Sequence, residues 1–594
     1  MNDRRTRAGG TWALVLAVFA LMAWARYGAT PLGLAGFESL TLFQSLYLDP
    51  LPAVPPPSAA PALSQHVILI VLDGLRVDAS RSLPTLNRLR TDGVDRTMGV
   101  GQPSYSLPGW TVIGTGAWQE QSGIASNFTE DPIALDTIFL ALQRAGRSTA
   151  IVGSDGWEQL YASGVDEIHV FGDPEGGYID YASLERGDDR VLAAAQEALE
   201  GSPNFLLVHF LGPDNAGHGW GAESEEYRRI SVHADALIDA LLEGVDLSTS
   251  TVLVTADHGH VDRGGHGGGE PEVLEVPFLG AGSGLRPGVY PAATQADLAA
   301  TIAALLGSGI PSHNFGRPLL DQLEAPVDWK AAWAITTGEQ RSARIESMLT
   351  AIGSHESFDA RLLDEARAEF EAGRFEAAFL GAEQFEAHLD ETWQAARAER
   401  IGRDRIGRLP WAIGVLLPFA ALGIYAGRKR WNLAVPVAGA AAYFALWYAN
   451  YFGLQRLWFS ASLFNTEDAI EPFLQARVME GVIALALVSI AVGVASRGAS
   501  VVELLRRGIL THAAVAFGLA VQILTFYVLW GAVLRTYLPD LAAGFKYYLD
   551  VFQTTIFWPV FPLPIALLLP ILTLVGSWSA GWIGAWIRPT LGRS

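Results

Sequence analysis

Four segments of the chain bring carboxylates and imidazoles into short runs flanked by glycine: Asp73 in VLDG, Asp214 and His218 in GPDNAGHG, Asp257 and His258 in ADHG, and His266 in GGHGGG. Mixed oxygen and nitrogen donors of this kind suit zinc or another divalent first-row metal. Each run alone is weak, because an Asp after a strand commonly caps a turn or a helix. Six ligand-type residues in four such places exceed what turn chemistry requires. Between the first and second runs lies GQPSYSLPGWTVIGTG, where Ser106 precedes Pro108 and a helical pattern. A hydroxyl at a helix N-terminus meets free N–H groups and the positive end of the helix dipole, which stabilise an alkoxide or a bound phosphate. The same pattern fits an ordinary N-cap serine, and Ser104 competes for either role. Metal coordination lowers the pKa of a hydroxyl, so such a set can attack phosphorus while a second cation stabilises the departing oxygen.

Converging these residues requires a frame. VILIVLD (67–73), TAIVGSD (149–155), NFLLVHFLGPD (204–214) and TVLVTAD (251–257) are apolar, rich in β-branched residues and lack clean alternation, with helical patterns between them. That texture predicts parallel strands buried on both faces of an α/β sheet. All four end in Asp, and in open parallel sheets ligands sit beyond the carboxyl ends of the strands. His209 lies within an apolar run and reads as a packed, hydrogen-bonded core histidine, while His260 is at most a reserve ligand. The glycines around His266 are not a P-loop, since no Gly-Lys-Ser/Thr follows; they let the chain bend so that His266 reaches the metal.

Composition narrows the classes. The 594 residues include no cysteine, which removes disulfide scaffolds, thiolate zinc fingers, iron–sulfur clusters and cysteine nucleophiles. With 62 acidic against 41 basic side chains the net charge is −21, which disfavours binding to a nucleic-acid polymer. Two cations and a helix N-terminus would offset that excess around an anionic substrate. A mean hydropathy of +0.24 and 18 tryptophans point to membrane segments. The basic start, with Arg4, Arg5 and Arg7, leads into an apolar run that reads as an uncleaved anchor in preference to a signal peptide. Beyond Pro410 five apolar segments fall near 410–427, 431–452, 478–496, 511–535 and 556–580. The basic loops at 427–430 and at Arg506 and Arg507, with the tail, alternate with the acidic NTEDAIEP loop. Positive-inside logic therefore puts the C-terminus in the cytoplasm and residues 30–400 outside, with Arg400 to Arg408 as a local exception. YFALWYANYFGLQRLWF fits an interfacial aromatic belt, and 335–405 reads as a solvated helical hairpin.

In order along the chain, VLDGLRVD, SYSLPGW, GSDGW, HFLGPDNAGHGWG, EYRRISVHADALID and ADHGHVDRGGHGGGEPEVLEVPFLGAG resemble the alkaline phosphatase superfamily over about residues 65–320. The nearest resemblance is to its type I phosphodiesterase/nucleotide pyrophosphatase branch, and within it to the ethanolamine-phosphate transferases of GPI-anchor synthesis. The resemblance implies that Asp73, Asp257 and His258 hold one metal, which also contacts the nucleophile Ser106, and that Asp214, His218 and His266 hold the other. It implies zinc first, with Mn2+ or Mg2+ as alternatives, and a phospho-serine intermediate. Asn127 matches the family's Asn that hydrogen-bonds a phosphoryl oxygen, although NFT also reads as a glycosylation sequon. The family often has Thr as nucleophile and His or Asn just after it; here Leu-Pro-Gly-Trp follows Ser106, which leaves the role of Trp110 open.

The expectation is therefore an α/β, alkaline-phosphatase-like, mostly parallel sheet flanked by helices, joined to an α-helical transmembrane domain. Its parts are an anchor at 1–30, a Pro-rich linker at 31–64, an exported catalytic domain at 65–325, a helical linker region at 326–408 and about five membrane helices at 409–594. The expected function is an outward-facing two-metal enzyme that cleaves phosphodiesters and passes a phosphoethanolamine-type group to a lipid or glycan hydroxyl. A phospholipid and a lipid-linked glycan are the substrates this implies. A phosphodiesterase or nucleotide pyrophosphatase hydrolase explains the same residues with water as acceptor. Sulfatase is remote, because Trp110 stands where that motif needs Arg; a non-catalytic scaffold or transporter is equally remote, because the ligand set is complete.

Overall fold

The computed structural model describes residues 43–557 except 130, 173–180, 465–468, 533, 535, 539 and 540, together with 572–579 and scattered positions between 13 and 35. A nine-stranded sheet runs in the order β4-β3-β5-β1-β6-β7-β2-β8, with β9 paired to β2. Its strands are β1 His66–Leu72, β2 Val94–Gly99, β3 Thr149–Ser154, β4 Glu167–Phe171, β5 Phe205–Phe210, β6 Ser250–Thr255, β7 Glu275–Gly282, β8 Gly288–Val289 and β9 Ala293–Thr294. The block β4-β3-β5-β1-β6 is parallel throughout, while β7 is antiparallel to β6 and β2. Strands β1, β3, β5 and β6 are buried almost end to end, as expected for aliphatic runs covered by helices on both faces. The first strand in sequence lies between β5 and β6, so chain order diverges around it. That divergence opens a crevice at the carboxyl ends of β5, β1 and β6. Asp155, after β3, lies one strand away and is exposed.

Helix α1, Ser106–Thr115, and helix α2, Gly212–Trp220, stand over this edge. Helices α3 Val327–Ala351, α4 Arg361–Glu371 and α5 Phe375–Arg428 pack on one another. The expected solvated hairpin is corrected here, because α3 is largely buried. Trp329, Trp333, Ile345 and Met348 join the same core as β1, and Arg341 is buried with Glu386 and Asp390 of α5 as its partners. Buried Arg344 donates to the Tyr47 carbonyl at 2.8 Å. The pattern along α3 could not show this, since its ionic partners lie some forty-five residues further on.

Helix α5 runs unbroken through Pro410 and Pro418, from packing on α3 and α4 to packing among apolar helices. Those helices are α6 Ala434–Tyr448, α7 Ile470–Ala495, α8 Val501–Trp530 and α9 Leu541–Phe557. Among the described residues, α5, α7 and α8 are long and apolar enough to cross a membrane. The apolar segments expected near 410–427, 431–452, 478–496 and 511–535 fall within or across α5, α6, α7 and α8; the one at 556–580 lies largely outside the described residues. Near the N-terminus, Leu14, Val18, Leu21 and Ala25 share one helical face and pack with Phe419, Tyr443, Val488 and Leu519.

Candidate active site

Each carboxylate and imidazole of the expected set stands at the carboxyl edge of a central strand. Asp73 follows β1, and Asp257 and His258 follow β6. Asp214 and His218 lie one turn apart on α2, which follows β5 and places both on one helix face. His266 comes from the glycine loop after β6. Asp73, Asp257, His258 and His266 are buried, and Asp214 and His218 are half-buried.

Two groups result. In the first, His258 Nε2 lies 3.4 Å from Asp73 Oδ1, 3.4 Å from Asp257 Oδ2 and 3.3 Å from Ser106 Oγ. The tautomer follows from the neighbours. His258 Nδ1 faces the Gly259 carbonyl at 3.2 Å, and a carbonyl only accepts, so Nδ1 carries the proton and Nε2 turns a lone pair inward. In the second group, His266 Nδ1 donates to the Ser104 carbonyl at 3.0 Å, which likewise aims Nε2 inward. His266 Nε2 then faces His218 Nε2 at 3.1 Å and Asp214 Oδ1 at 3.6 Å, and His218 Nε2 lies 3.4 Å from Asp214 Oδ2. Lone pairs and carboxylate oxygens converging in this way fit a cation in each group, and the geometric sets Asp73, Asp257, His258 and Asp214, His258, His266 have their ligand atoms close enough to share an ion. The rings of His258 and His266 stack at 3.7 Å, so the groups adjoin.

Ser106 opens α1, and its half-buried hydroxyl is the one that reaches the first group. Ser104 does not: its buried Oγ donates to the Gly268 carbonyl and accepts from Gly267 N–H, which ties it to the glycine loop. Asn127 accepts the Leu107 N–H of the first turn of α1 through Oδ1 at 3.0 Å and is exposed, which leaves its amide N–H groups for another acceptor beside Ser106.

Three side chains that the motifs did not single out as site residues support this set. Buried Trp110 donates Nε1–H to Asp257 Oδ2 at 2.8 Å while its ring stacks on Trp157 at 5.0 Å. His209 is fully buried and hydrogen-bonded, as read from its strand, and its partner is Asp73 Oδ2 at 3.0 Å. His260 lies 2.7 Å from Asp214 Oδ1 and with Asp214 and His218 forms a third compact set. Its Nδ1, however, accepts Gly265 N–H at 3.0 Å. Nε2 must then carry the ring proton and donate it to Asp214, so His260 orients the carboxylate and has no lone pair to offer a cation. The signal for Trp110 and His260 was their position within SLPGW and DHGH; their roles depend on tertiary neighbours.

Electrostatics follows from burial. Desolvation lowers His209 to about 3 and His260 to about 4, and holds His266 well below the usual histidine range, so all three rings are neutral near pH 7. Burial alone would raise the Asp214 carboxyl, but His218, His260 and His266 outweigh it and hold it well below its ordinary value. Asp257 is raised, chiefly by burial, despite its bonds to Gly74 N–H and Trp110. Neutral imidazoles beside carboxylates are the protonation states that metal ligation requires.

Comparison with known proteins places the same region. Residues 67–266, which span every member of both groups, match the family described as type I phosphodiesterase / nucleotide pyrophosphatase. GPI ethanolamine phosphate transferase 3, catalytic subunit, of Mus musculus is 27% identical over 296 residues, covering 45% of this chain and 26% of that protein. GPI ethanolamine phosphate transferase 1 of Emericella nidulans is 26% identical over 348 residues, covering 48% and 37%. Among solved structures, murine ectonucleotide pyrophosphatase / phosphodiesterase 5 aligns at 16% identity and a TM-score of 0.35, over 44% of this chain and 100% of that one. The chain thus spans well under half the length of these two curated relatives. The resemblance read from the motifs is borne out by the family match and by these relatives.

Proposed function

We propose, on the premise that residues 67–266 carry the type I phosphodiesterase / nucleotide pyrophosphatase match, that this chain is a membrane-integrated enzyme transferring a phosphoethanolamine-type group from a phospholipid to a lipid or glycan hydroxyl. The observation that carries the reading is the approach of Ser106 Oγ to a convergent set of carboxylate oxygens and imidazole lone pairs at one sheet edge. The relatives' names supply the transferred group, and the apolar helices beside the catalytic half suit a donor and acceptor that reside in a bilayer.

Asp73, Asp257 and His258 would hold one divalent cation, and Asp214, His218 and His266 the other. Bound there, the two cations, zinc first, would supply positive charge that acidifies the Ser106 hydroxyl and offsets charge on the phosphoryl group and departing oxygen. Ser106 Oγ loses its proton to solvent and forms a bond to phosphorus as the bond to the donor's alkoxide breaks; that alkoxide leaves with a proton from solvent. Asn127 offers its amide N–H to a phosphoryl oxygen, and the first turn of α1 adds backbone donors. The acceptor hydroxyl then attacks phosphorus, restores the Ser106 hydroxyl and carries the group away. Water in place of the acceptor gives a phosphodiesterase, which is the second reading and is favoured by the description of the matched family. In this reading the catalytic half lies on the extracytoplasmic side and the C-terminus in the cytoplasm.

The test is a detergent-solubilised assay with bis-p-nitrophenyl phosphate and, in parallel, a lipid labelled in its phosphoethanolamine headgroup, with zinc restored after chelation and Ser106→Ala as control. Labelled lipid or glycan products that depend on zinc and Ser106 support transfer. Nitrophenol without labelled acceptor means the hydrolase, and silence in both arms rejects the enzyme reading.

A further inference from the structure

The loop that carries His266 is held from two sides. On the catalytic side Ser104 grips it, through the His266 ring, Gly267 N–H and the Gly268 carbonyl. On the other side it meets residues 456–464, a connection between the apolar helices α6 and α7. Gly268 N–H donates to Ser462 Oγ at 3.0 Å, Ser462 donates to Glu270 Oε2 at 2.8 Å, and Trp458 Nε1–H donates to Glu270 Oε1 at 2.6 Å. Every proton in this chain has one direction, because the amide and indole only donate and the carboxylate only accepts. Ser460 and Ser462 are buried, and Arg263 lies over the Trp458 ring at 4.3 Å.

The segment is equally tied to the membrane-type helices. Tyr451 donates its hydroxyl to the Trp458 carbonyl at 2.7 Å, and Leu457, Phe459, Leu463 and Phe464 pack with Trp447, Tyr451 and Leu474. Two glycines show how closely the halves meet. A side chain at Gly268 would collide with Ser460, Ser462 and Glu270, and one at Gly265, whose φ is +95°, would collide with the Ser462 backbone. These glycines thus serve the docking of residues 456–464 as well as the bend towards the site.

We propose that the metal site is a composite of both halves, in which Ser462, Glu270 and Trp458 are positioning residues that hold His266 in its ligating orientation. The inference rests on the reading of His266 as a ligand. It adds that the second cation binds fully only when the segment between α6 and α7 is docked on the glycine loop. A group whose orientation depends on outer hydrogen bonds typically loses about 10- to 100-fold in metal affinity when they are removed.

The experiment uses the full chain in detergent or nanodiscs and titrates zinc against a competing chelator, with thermal unfolding and initial rates measured on the same samples. Ser462→Ala and Glu270→Gln should weaken one of the two zinc ions, the one that His266→Ala also loses, by about 10- to 100-fold, with the lost rate recovered in excess zinc. Trp458→Phe, which removes one N–H and keeps a ring, should give a smaller loss in the same direction. Ser489→Ala, a buried serine of α7 whose hydroxyl bonds Leu485, is the control and should bind zinc as the unaltered chain does. Wild-type affinity for both ions in the first three variants overturns the proposal and leaves the proposed function standing. A lower melting temperature without selective loss of one ion overturns it too, as a merely structural contact, and an unaltered chain that binds no zinc overturns both readings.

Discussion

His260 offers the sharpest test of the reasoning, because proximity and hydrogen-bond geometry assign it different roles. Proximity groups it with Asp214 and His218 as a ligand; the Gly265 N–H on its Nδ1 makes it a donor to Asp214. The two roles separate on His260→Gln against His260→Ala. Glutamine can place an amide N–H near the position of Nε2 and so keep the bond to Asp214, but it is a poor zinc ligand. Alanine removes the donor and leaves Asp214 Oδ1 and Gly265 N–H without that partner in a buried site. A hydrogen bond to a charged group is worth about 1.5–3 kcal/mol, which is roughly 10- to 150-fold in an equilibrium constant. Zinc affinity by chelator competition should therefore fall by about that factor in His260→Ala and by less than about tenfold in His260→Gln. Equal and large losses in both variants would mean that the ring ligates the ion directly, and the tautomer argument would be refuted.

Ser106→Ala should abolish turnover while two zinc ions still bind; unchanged activity would remove Ser106 as nucleophile. Trp110→Phe keeps a ring against Trp157 but loses the N–H on Asp257, so the first ion should bind about 10- to 100-fold more weakly, and a fall in melting temperature alone would contradict the assignment. Asp188, which bonds the backbone at the start of α2 and belongs to neither ligand group, supplies a pH test. It accepts Leu211 and Gly212 N–H, yet burial pushes its carboxyl up from 3.8 to about 7. A raised carboxyl favours folding fully below about pH 4, and that contribution is lost as pH rises through about 7, to an upper bound on the order of 4 kcal/mol. Asp188→Asn should flatten the decline of the melting temperature across that window, and an unchanged pH slope would count against a buried, neutral Asp188.

How much was legible in the sequence depended on the range of the interaction. Asp73, Asp214, Asp257 and His258 could be picked out because each sits within a few residues of a strand whose aliphatic run is itself readable, with His218 one helical turn beyond Asp214 and His266 in the glycine-rich loop after β6, and parallel packing then brings the strand ends together. Trp110, His209 and His260 act on carboxylates 147, 136 and 46 residues away, which no local pattern records. The polar face of α3 misled for the same reason: Arg341 looks like a solvated helix residue until Glu386 and Asp390 arrive beside it. Pro410 marked the change to apolar texture, yet α5 continues through it, and Arg405 and Arg408 next to it donate to Leu529 and Val528 carbonyls of α8.

That unbroken α5 sets a standoff distance. At about 1.5 Å per residue, its 54 residues form a strut roughly 80 Å long, clamped by α3 and α4 at one end and by α8 at the other. A strut of this kind fixes reach and azimuth together, since each added residue lengthens it by about 1.5 Å and turns everything beyond it by about 100°. A flexible tether would let the catalytic half sample many heights and headings, whereas this one aims it. Inserting two residues near Arg403 would swing the site by more than half a turn relative to the apolar helices, and inserting seven would restore its heading while raising it by about 10 Å.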